Sequence, residues 1–346
     1  MLNLQVNRID QSRFEELTTD VTVPIEQTVQ WVSFTQQSDG YEHQGFFEVS
    51  SADNAQNPLC VFSLVTVSTR GGTHAWLRHA PIWLAEPSVD EEKSFLAALK
   101  SWLKNTYSEV IWAHVDVTHA ENYSEVEDAY GIVPYDSTVV IDLTSDASKD
   151  ADKRAEEVLT RFKKRGRRDV RKALRESGLV FSDDTAQASQ DFGPYHAIMV
   201  DTSSRDGFVP WPKEFYESML QSLGAEHAHV YAGRIDGELV CWSLVTENQH
   251  HATRYYAASS TAVMRKHAND VMVFMECKEL LQRGITQYDL MGIGSEASPT
   301  LKGLNEFKTK FSENIVTVPL MKALVVRPAK FALYKTVRGV VDMIRH

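Results

Sequence analysis

Two stretches of this chain repeat one order of elements, and that repetition constrains the fold more than any single residue does. In the first, residues 58–67 (Pro-Leu-Cys-Val-Phe-Ser-Leu-Val-Thr-Val) form a β-rich run stopped by Gly71-Gly72. A segment with helical spacing follows, with Phe95, Leu96, Leu99 and Trp102 on one face, and then a strand at 110–115. In the second, strands at 229–234, 239–246 and 251–258 precede a helix at 269–283 and a short strand at 287–291. Asp236-Gly237 between the first two of these is a strong hairpin signal. Further helices are expected near 190–204 and 213–223, and Pro328 opens a last one reaching 344. Strand runs joined without intervening helices, then one helix, fit a mixed α+β domain better than a doubly wound parallel sheet.

The polar, turn-prone stretch 144–150 (Thr-Ser-Asp-Ala-Ser-Lys-Asp) is the expected boundary. It gives domains at 1–147 and 148–346, with the strand at 138–143 closing the first. Two such domains in tandem would leave a cleft, a common place for a ligand. Just past the boundary, residues 152–177 read as two helices. Ala155, Val158, Leu159 and Phe162 make the first apolar stripe; Val170, Ala173 and Leu174 make the second, and Gly178 is placed as a cap.

Charge is distributed unevenly. The chain carries −11 overall, yet 153–175 holds eleven Lys or Arg against three acids. Such segregation fits a local face for phosphate or an anionic surface, or else a solvated helix face. No run of about 18 apolar residues exists, as a membrane span would need. The first residues lack the pattern of a signal peptide, and Cys60, Cys241 and Cys277 cannot form a disulfide framework. A cytoplasmic location and core roles for the cysteines are expected.

Several chemistries lack their motifs. There is no phosphate-loop or dinucleotide glycine signature, no H-E-x-x-H, no C-x-x-C and no nucleophile elbow. His250-His251 is the one adjacent histidine pair, and neighbouring strand residues point to opposite faces. The segment 263–268 (Val-Met-Arg-Lys-His-Ala) stands where a coenzyme A pyrophosphate loop would, without its glycines. No metal and no cofactor are therefore expected.

Four segments, in order over 138–311, resemble the Fem-type aminoacyltransferases of peptidoglycan interpeptide bridges. Thr138-Val-Val-Ile-Asp-Leu143 with Arg165-Gly-Arg-Arg-Asp-Val-Arg-Lys-Ala173 is similar to the family's T-x-x-x-D-L strand and basic helix. Asp201-Thr-Ser-Ser-Arg-Asp-Gly-Phe208 is similar to its T-x-x-R-x-G-F. Tyr255-Tyr-Ala-Ala-Ser259 is the third, and the fourth joins Tyr288-Asp-Leu-Met-Gly-Ile293 to Gly303-Leu-Asn-Glu-Phe-Lys-Thr-Lys-Phe311. Gln30-Trp31, Arg78-His79-Ala80-Pro81 and Asp116 extend the resemblance thinly into the first domain.

The resemblance implies two tandem GNAT-like acyltransferase domains and transfer of an amino acid from aminoacyl-tRNA to the amine of a precursor, UDP-linked or lipid-linked, by a monomer. The ester is already activated, so alignment, proton removal and oxyanion stabilisation suffice. Only about fifteen residues separate Phe215-Tyr216 from the strand at His229, so the helical arm of the longer members has no room.

By resemblance, Lys308 and Asp116 are the catalytic candidates. Arg205, Ser203, Tyr256, Phe307 and Lys310 are those for substrate; Lys310 shares a side with Lys308 if that segment is extended. Lys163, Lys164, Arg165, Arg167, Arg168 and Arg171, with Arg161 and Lys172, are the candidates for tRNA backbone contact. Asn269 is expected to cap its helix. The amphipathic basic tail 327–345, with Phe331, Leu333, Val337, Val340, Val341 and Ile344, either packs on the second domain or touches an anionic inner membrane leaflet.

Two positions depart from the family pattern. Val117 follows Asp116 where a proline is usual, and no lysine follows Trp31 where the compact members place one for a substrate phosphate. Another amine acceptor, or a non-catalytic RNA- or envelope-associated scaffold, are the alternatives this leaves.

Overall fold

The computed structural model describes residues 2–54, 56–145 and 150–345, the side chains of 264, 265 and 338–345 apart. The chain starts with β1 (Leu4–Ile9), α1 (Gln11–Leu17), α2 (Val29–Thr35), β2 (Tyr41–Ser51), β3 (Cys60–Thr69), β4 (Gly72–Trp76) and β5 (Ile82–Trp83). Then come α3 (Val89–Thr106), β6 (Val110–Val117), β7 (Val126–Asp128) and β8 (Ser137–Asp142). Next are α4 (Ala151–Arg161), α5 (Lys164–Glu176), β9 (Val180–Asp183), α6 (Thr185–Gln190), α7 (Gly193–Asp206) and α8 (Lys213–His227). The chain continues through β10 (Ala228–Ile235), β11 (Glu238–Asn248), β12 (His251–Ser259), α9 (Ala268–Gln282) and β13 (Gln287–Gly292). It ends with α10 (Lys302–Lys308), β14 (Ile315–Thr317), β15 (Leu320–Val325) and α11 (Pro328–Arg345).

Two compact units result. Unit 1 comprises 1–134 and 318–346, and unit 2 comprises 135–317. The sheet of unit 1 runs β1-β2-β3-β4-β6-β15-β7, with β5 on β3; that of unit 2 runs β14-β8-β13-β12-β11-β10-β9. Each sheet has one parallel pair, β4 with β6 and β12 with β13, and the remaining pairs are antiparallel. Parallel neighbours need a crossover, and α3 and α9 supply it. The repeated order of the sequence is thus a repeated topology.

The expected boundary needs correcting on two counts. Residues 147 and 148 themselves lie outside the described residues, but the strand before them, β8, pairs with β13 and β14 in unit 2. At the other end β15 pairs with β6 along its whole length, Leu320 to Val325 against Val117 to Trp112, so the chain returns to unit 1. The tail was expected on the second domain. Instead α11 packs on unit 1, where Phe331 and Tyr334 lie 5.4 and 4.6 Å from the Trp112 ring. Its Val340, Val341 and Ile344 side chains are outside the described residues. No described helix is long and apolar enough to cross a membrane.

Local signals explain the starts and stops. Ser88 and Glu91 form a capping box on α3, worth about 1 kcal/mol. Asp236 and Gly237, at φ 53° and 83°, make the tight β10–β11 hairpin that only such residues accept. Buried α3 residues Phe95 and Leu99 pack with Phe62 and Val115 in unit 1; Met272, Val273 and Cys277 of α9 pack with Tyr288 and Val245 in unit 2. Cys60, Cys241 and Cys277 are buried free thiols, and burial raises all three above the usual thiol range.

Candidate functional site

In both units the reactive side chains gather where the parallel pair separates. In unit 2, β12 and β13 are in register over Thr253 and Asp289 and no further, while β12 continues to Ser259 and β13 to Gly292. Met291, at φ 65°, marks an irregularity in β13, and its amide donates to Asp289 Oδ1 at 2.6 Å. The last residue of α10, Lys308, reaches back and donates from Nζ to the Gly292 carbonyl at 2.8 Å.

Burial lowers the Lys308 ammonium from 10.5 to about 8; Asp289 opposes the fall and Arg254 adds to it. Arg254 is itself pinned, 3.0 Å from the fully buried Glu276, which also accepts from Tyr288 and Ser243. Arg254 can neither leave nor lose its charge, so Lys308 is a partly deprotonated, well-placed cation.

Lys310 behaves differently. The stretch is helical, not extended, and Lys310 lies past the helix end, where it is buried and ion-paired to Asp270. It therefore does not join Lys308. Phe307, partly buried, packs edge-on to Phe311 at 5.1 Å and under the Lys310 ammonium at 4.8 Å. Asp169, His267 and Asp270 place ligand atoms within 4.8 Å of one another, a geometry a metal ion would accept. Lys310 and Arg168 already sit on the two carboxylates and supply that positive charge. Asn269 is not the cap of α9; His267, at φ 56°, occupies that place, and Asn269 is the helix's second residue.

Arg205, at the end of α7, meets the end of β12. Its Nη1 donates to the Ser259 carbonyl at 3.1 Å and to Thr261 Oγ1 at 3.2 Å, while Asp206 takes Nε at 2.8 Å and Nη2 at 3.1 Å. Four of its five N–H groups are thus engaged within the chain. Ser203 is buried, and its hydroxyl donates within its own helix to the Val200 carbonyl at 2.9 Å. Tyr256, on β12, stands 5.3 Å from the Tyr216 ring and 6.3 Å from Phe215.

The basic helices are more neutralised than their sequence implies. Arg165 pairs with Glu306, Arg168 with Asp169, Arg171 with Glu156, and Arg161 with Glu157 and Asp142. Lys172 lies 3.9 Å from Glu176, and Arg167 donates to the Thr160 and Phe162 carbonyls at the end of α4. Lys163 and Lys164 have no ion pair among the described residues, and Lys164 is exposed.

In unit 1 the corresponding place lies past the ends of β4 and β6. Asp116 is buried near the end of β6, and its amide donates to the Ala80 carbonyl at 2.9 Å. Its Oδ2 is 3.5 Å from His79 Nδ1, and His79 Nε2 is 3.8 Å from Glu26. Burial works against an imidazolium here, but Glu26 and Asp116 outweigh it, with Arg78 opposing them, and His79 rises to about 9. Burial likewise pushes Asp116 up against the pull of His79, with Glu26 adding to the rise. Beside this triad is a small, partly open pocket lined by Glu26, Gln27, Trp31, Tyr41, Trp76 and Arg78 among others. The Arg78 guanidinium lies 3.7 Å over the Trp76 ring and 5.7 Å from Trp31. Gln27 holds the wall, donating to the Arg78 carbonyl and accepting from the Ser63 amide at 2.7 Å.

Asp116 was expected after a strand and lies within β6, next to its last residue. Glu26 carried no signal in the sequence; His79 and Arg78 stand in the Arg78-His79-Ala80-Pro81 motif, which leads from β4 toward β5.

Residues 160–309 match the family described as acetyltransferase (GNAT) domain. No curated protein matches the chain by sequence. Among solved structures, FemX is 14% identical with a TM-score of 0.71, over 95% of this chain and 99% of that one. The C-terminal domain of a putative lysylphosphatidylglycerol synthetase from Agrobacterium fabrum is 13% identical with a TM-score of 0.52, covering 94% and 96%. L-PGS from Bacillus licheniformis is 12% identical with a TM-score of 0.50, covering 95% and 97%. The fold is thus the Fem-type tandem of GNAT-like units.

Proposed function

We propose that this chain is an acyltransferase that moves an amino acid from aminoacyl-tRNA to the amine of a peptidoglycan precursor. The observation that carries the reading is Lys308: a half-buried cation held at the parting of β12 and β13, in a chain with the fold of FemX.

The chemistry asked of the residues is modest. The precursor amine attacks the ester carbonyl of the aminoacyl group, the carbonyl oxygen becomes an oxyanion, and the ribose oxygen leaves with a proton. In unit 2, the Lys308 ammonium neutralises the oxyanion or the adjoining phosphate. Its near-neutral pKa also lets it pass a proton to the leaving oxygen. The proton lost by the attacking amine restores the one that Lys308 gives up, so the step balances within unit 2. Arg78, stacked between two indoles in the unit 1 cavity, is the cation for a precursor phosphate where the family's lysine after Trp31 is missing. Lys163 and Lys164 at the start of α5 lead the contact with the tRNA backbone, and the paired arginines exchange an internal carboxylate for a phosphate.

The test is purified protein with charged tRNA and a panel of UDP-linked and lipid-linked precursors. Deacylated tRNA should appear only when an amine acceptor is present. No transfer to any precursor from any aminoacyl-tRNA would overturn the proposal, and acetylation of an amine with acetyl-CoA would replace it. The fold-level match to an acetyltransferase domain makes that second arm necessary.

A further inference from the structure

Between α7 and α8 the chain exposes apolar surface that has no part in the steps proposed above. Phe208 is 46% exposed, Val209 92% and Trp211 54%. Large apolar side chains this exposed and this close in sequence are unusual on a soluble surface. Their exposure is built rather than slack. Gly207, left-handed at φ 77°, ends α7, and its amide and that of Phe208 both donate to the Ser203 carbonyl, at 2.8 and 3.3 Å. The Trp211 carbonyl is hydrogen-bonded to His196 Nε2 at 2.9 Å, and the Trp211 ring stacks on Phe215 at 4.8 Å and 16°. Pro210 and Pro212 bring no amide that would need a partner. The loop is therefore held outward, with Val209 at its tip.

We propose that residues 207–212 form an interfacial anchor that enters the headgroup–acyl boundary of a lipid bilayer. The residue types are those that settle there: Trp and Phe, whose rings span the apolar and wet sides, around a small aliphatic tip. The area speaks against a second copy of the chain. The three side chains offer roughly 300 Å² per copy, so about 600 Å² in a symmetric pair, whereas a stable protein–protein interface buries about 1,200 Å² or more over both partners. Charge chooses the kind of lipid attraction. The flanking ionised groups are paired with one another, Arg205 with Asp206 and Lys213 with Glu214 and Glu217, and the chain carries −11. The loop thus has no surplus cation to draw it to anionic headgroups, and its attraction is apolar.

Co-sedimentation of the full chain with vesicles tests this. The wild type should bind pure phosphatidylcholine vesicles, as well in 0.5 M salt as in low salt. Val209→Asp and Trp211→Ala, both at exposed positions and expected to fold normally by circular dichroism, should each lower the bound fraction about tenfold. Equal binding by wild type and variants overturns the anchor. So does no binding by the wild type, or binding that requires anionic lipid and vanishes in salt, which would place the contact on the basic helices. A wild type that forms a dimer which Val209→Asp dissolves would assign the patch to a second copy instead. Transfer to a soluble acceptor is assayed alongside and should be unchanged in both variants, so loss of membrane binding and failure of the proposed chemistry are read separately.

Discussion

Replacing Lys308 by Met should separate catalysis from stability in opposite directions. Burial first, then Arg254 against the counter-pull of Asp289, sets the ammonium at about 8 instead of 10.5. That difference is worth roughly 3 kcal/mol. The sign follows from proton binding: the folded lysine binds its proton less tightly than the unfolded one, so the cost is fully present below pH 8. It fades as pH rises from about 8 to 10.5, where the unfolded chain holds more protons. Met removes the buried charge and fills similar volume. Against this, the Gly292 carbonyl loses its donor, which costs about 1–3 kcal/mol if no water replaces it. At pH 7 the variant should therefore be as stable as the wild type or up to about 2 kcal/mol more so, and its advantage should shrink by pH 10. Transfer should fall about 100- to 1,000-fold, the usual loss for an oxyanion donor. Denaturant titrations at both pH values, beside single-turnover release of deacylated tRNA, measure the two effects. Lys308→Arg keeps the charge at any working pH, so the wild-type decline in rate above pH 8 should disappear from its profile. A Met variant that transfers at the wild-type rate, or that is several kcal/mol less stable, would make Lys308 a structural lysine and remove the basis for the site.

Two further outcomes test the rest of the architecture. His79 is raised from 6.5 to about 9, so it contributes stability that is complete below pH 6.5 and lost as pH rises through 9; His79→Gln should flatten that decline in a pH series of thermal midpoints. Gly166→Ala would set a Cβ 2.3 Å from the Lys310 carbonyl oxygen, which also accepts the Lys163 amide at 3.0 Å; overpacking of this kind costs about 1–3 kcal/mol, read as a drop of several degrees in the thermal midpoint.

What could be read from the residues was the local part of the fold. The Asp236-Gly237 turn, the helical stripe on α4 and the left-handed Gly178 after α5 are fixed by neighbours in sequence, and they are where they were expected. Pairing partners are set at long range, and there the periodicity is silent. The run at 138–143 is equally apolar whichever sheet takes it, and its place beside β13 is decided by the register of Tyr288 with Ile141. Leu320–Val325 carries no turn signal marking its return to unit 1, so the tail was assigned to the wrong core. The site divides the same way. Lys308 and Arg205 sit in compact motifs, whereas Glu26, His79 and Asp116 come from three separate segments and meet through folding.

The two units also show why one fold copied twice need not copy its chemistry. A crossover helix makes its two strands parallel neighbours, and beyond the last paired residues they part, leaving side chains at their ends without a sheet to cover them. That geometry is a property of the backbone and recurs at β4–β6 and at β12–β13. What occupies the parting is free to differ. Unit 1 fills it with two carboxylates around an imidazole; unit 2 fills it with a lysine whose pKa burial lowers to about 8 and a pinned arginine. Arg78→Met, in the pocket beside His79, should raise the KM for a phosphate-bearing acceptor while leaving the pH profile set by Lys308 in place.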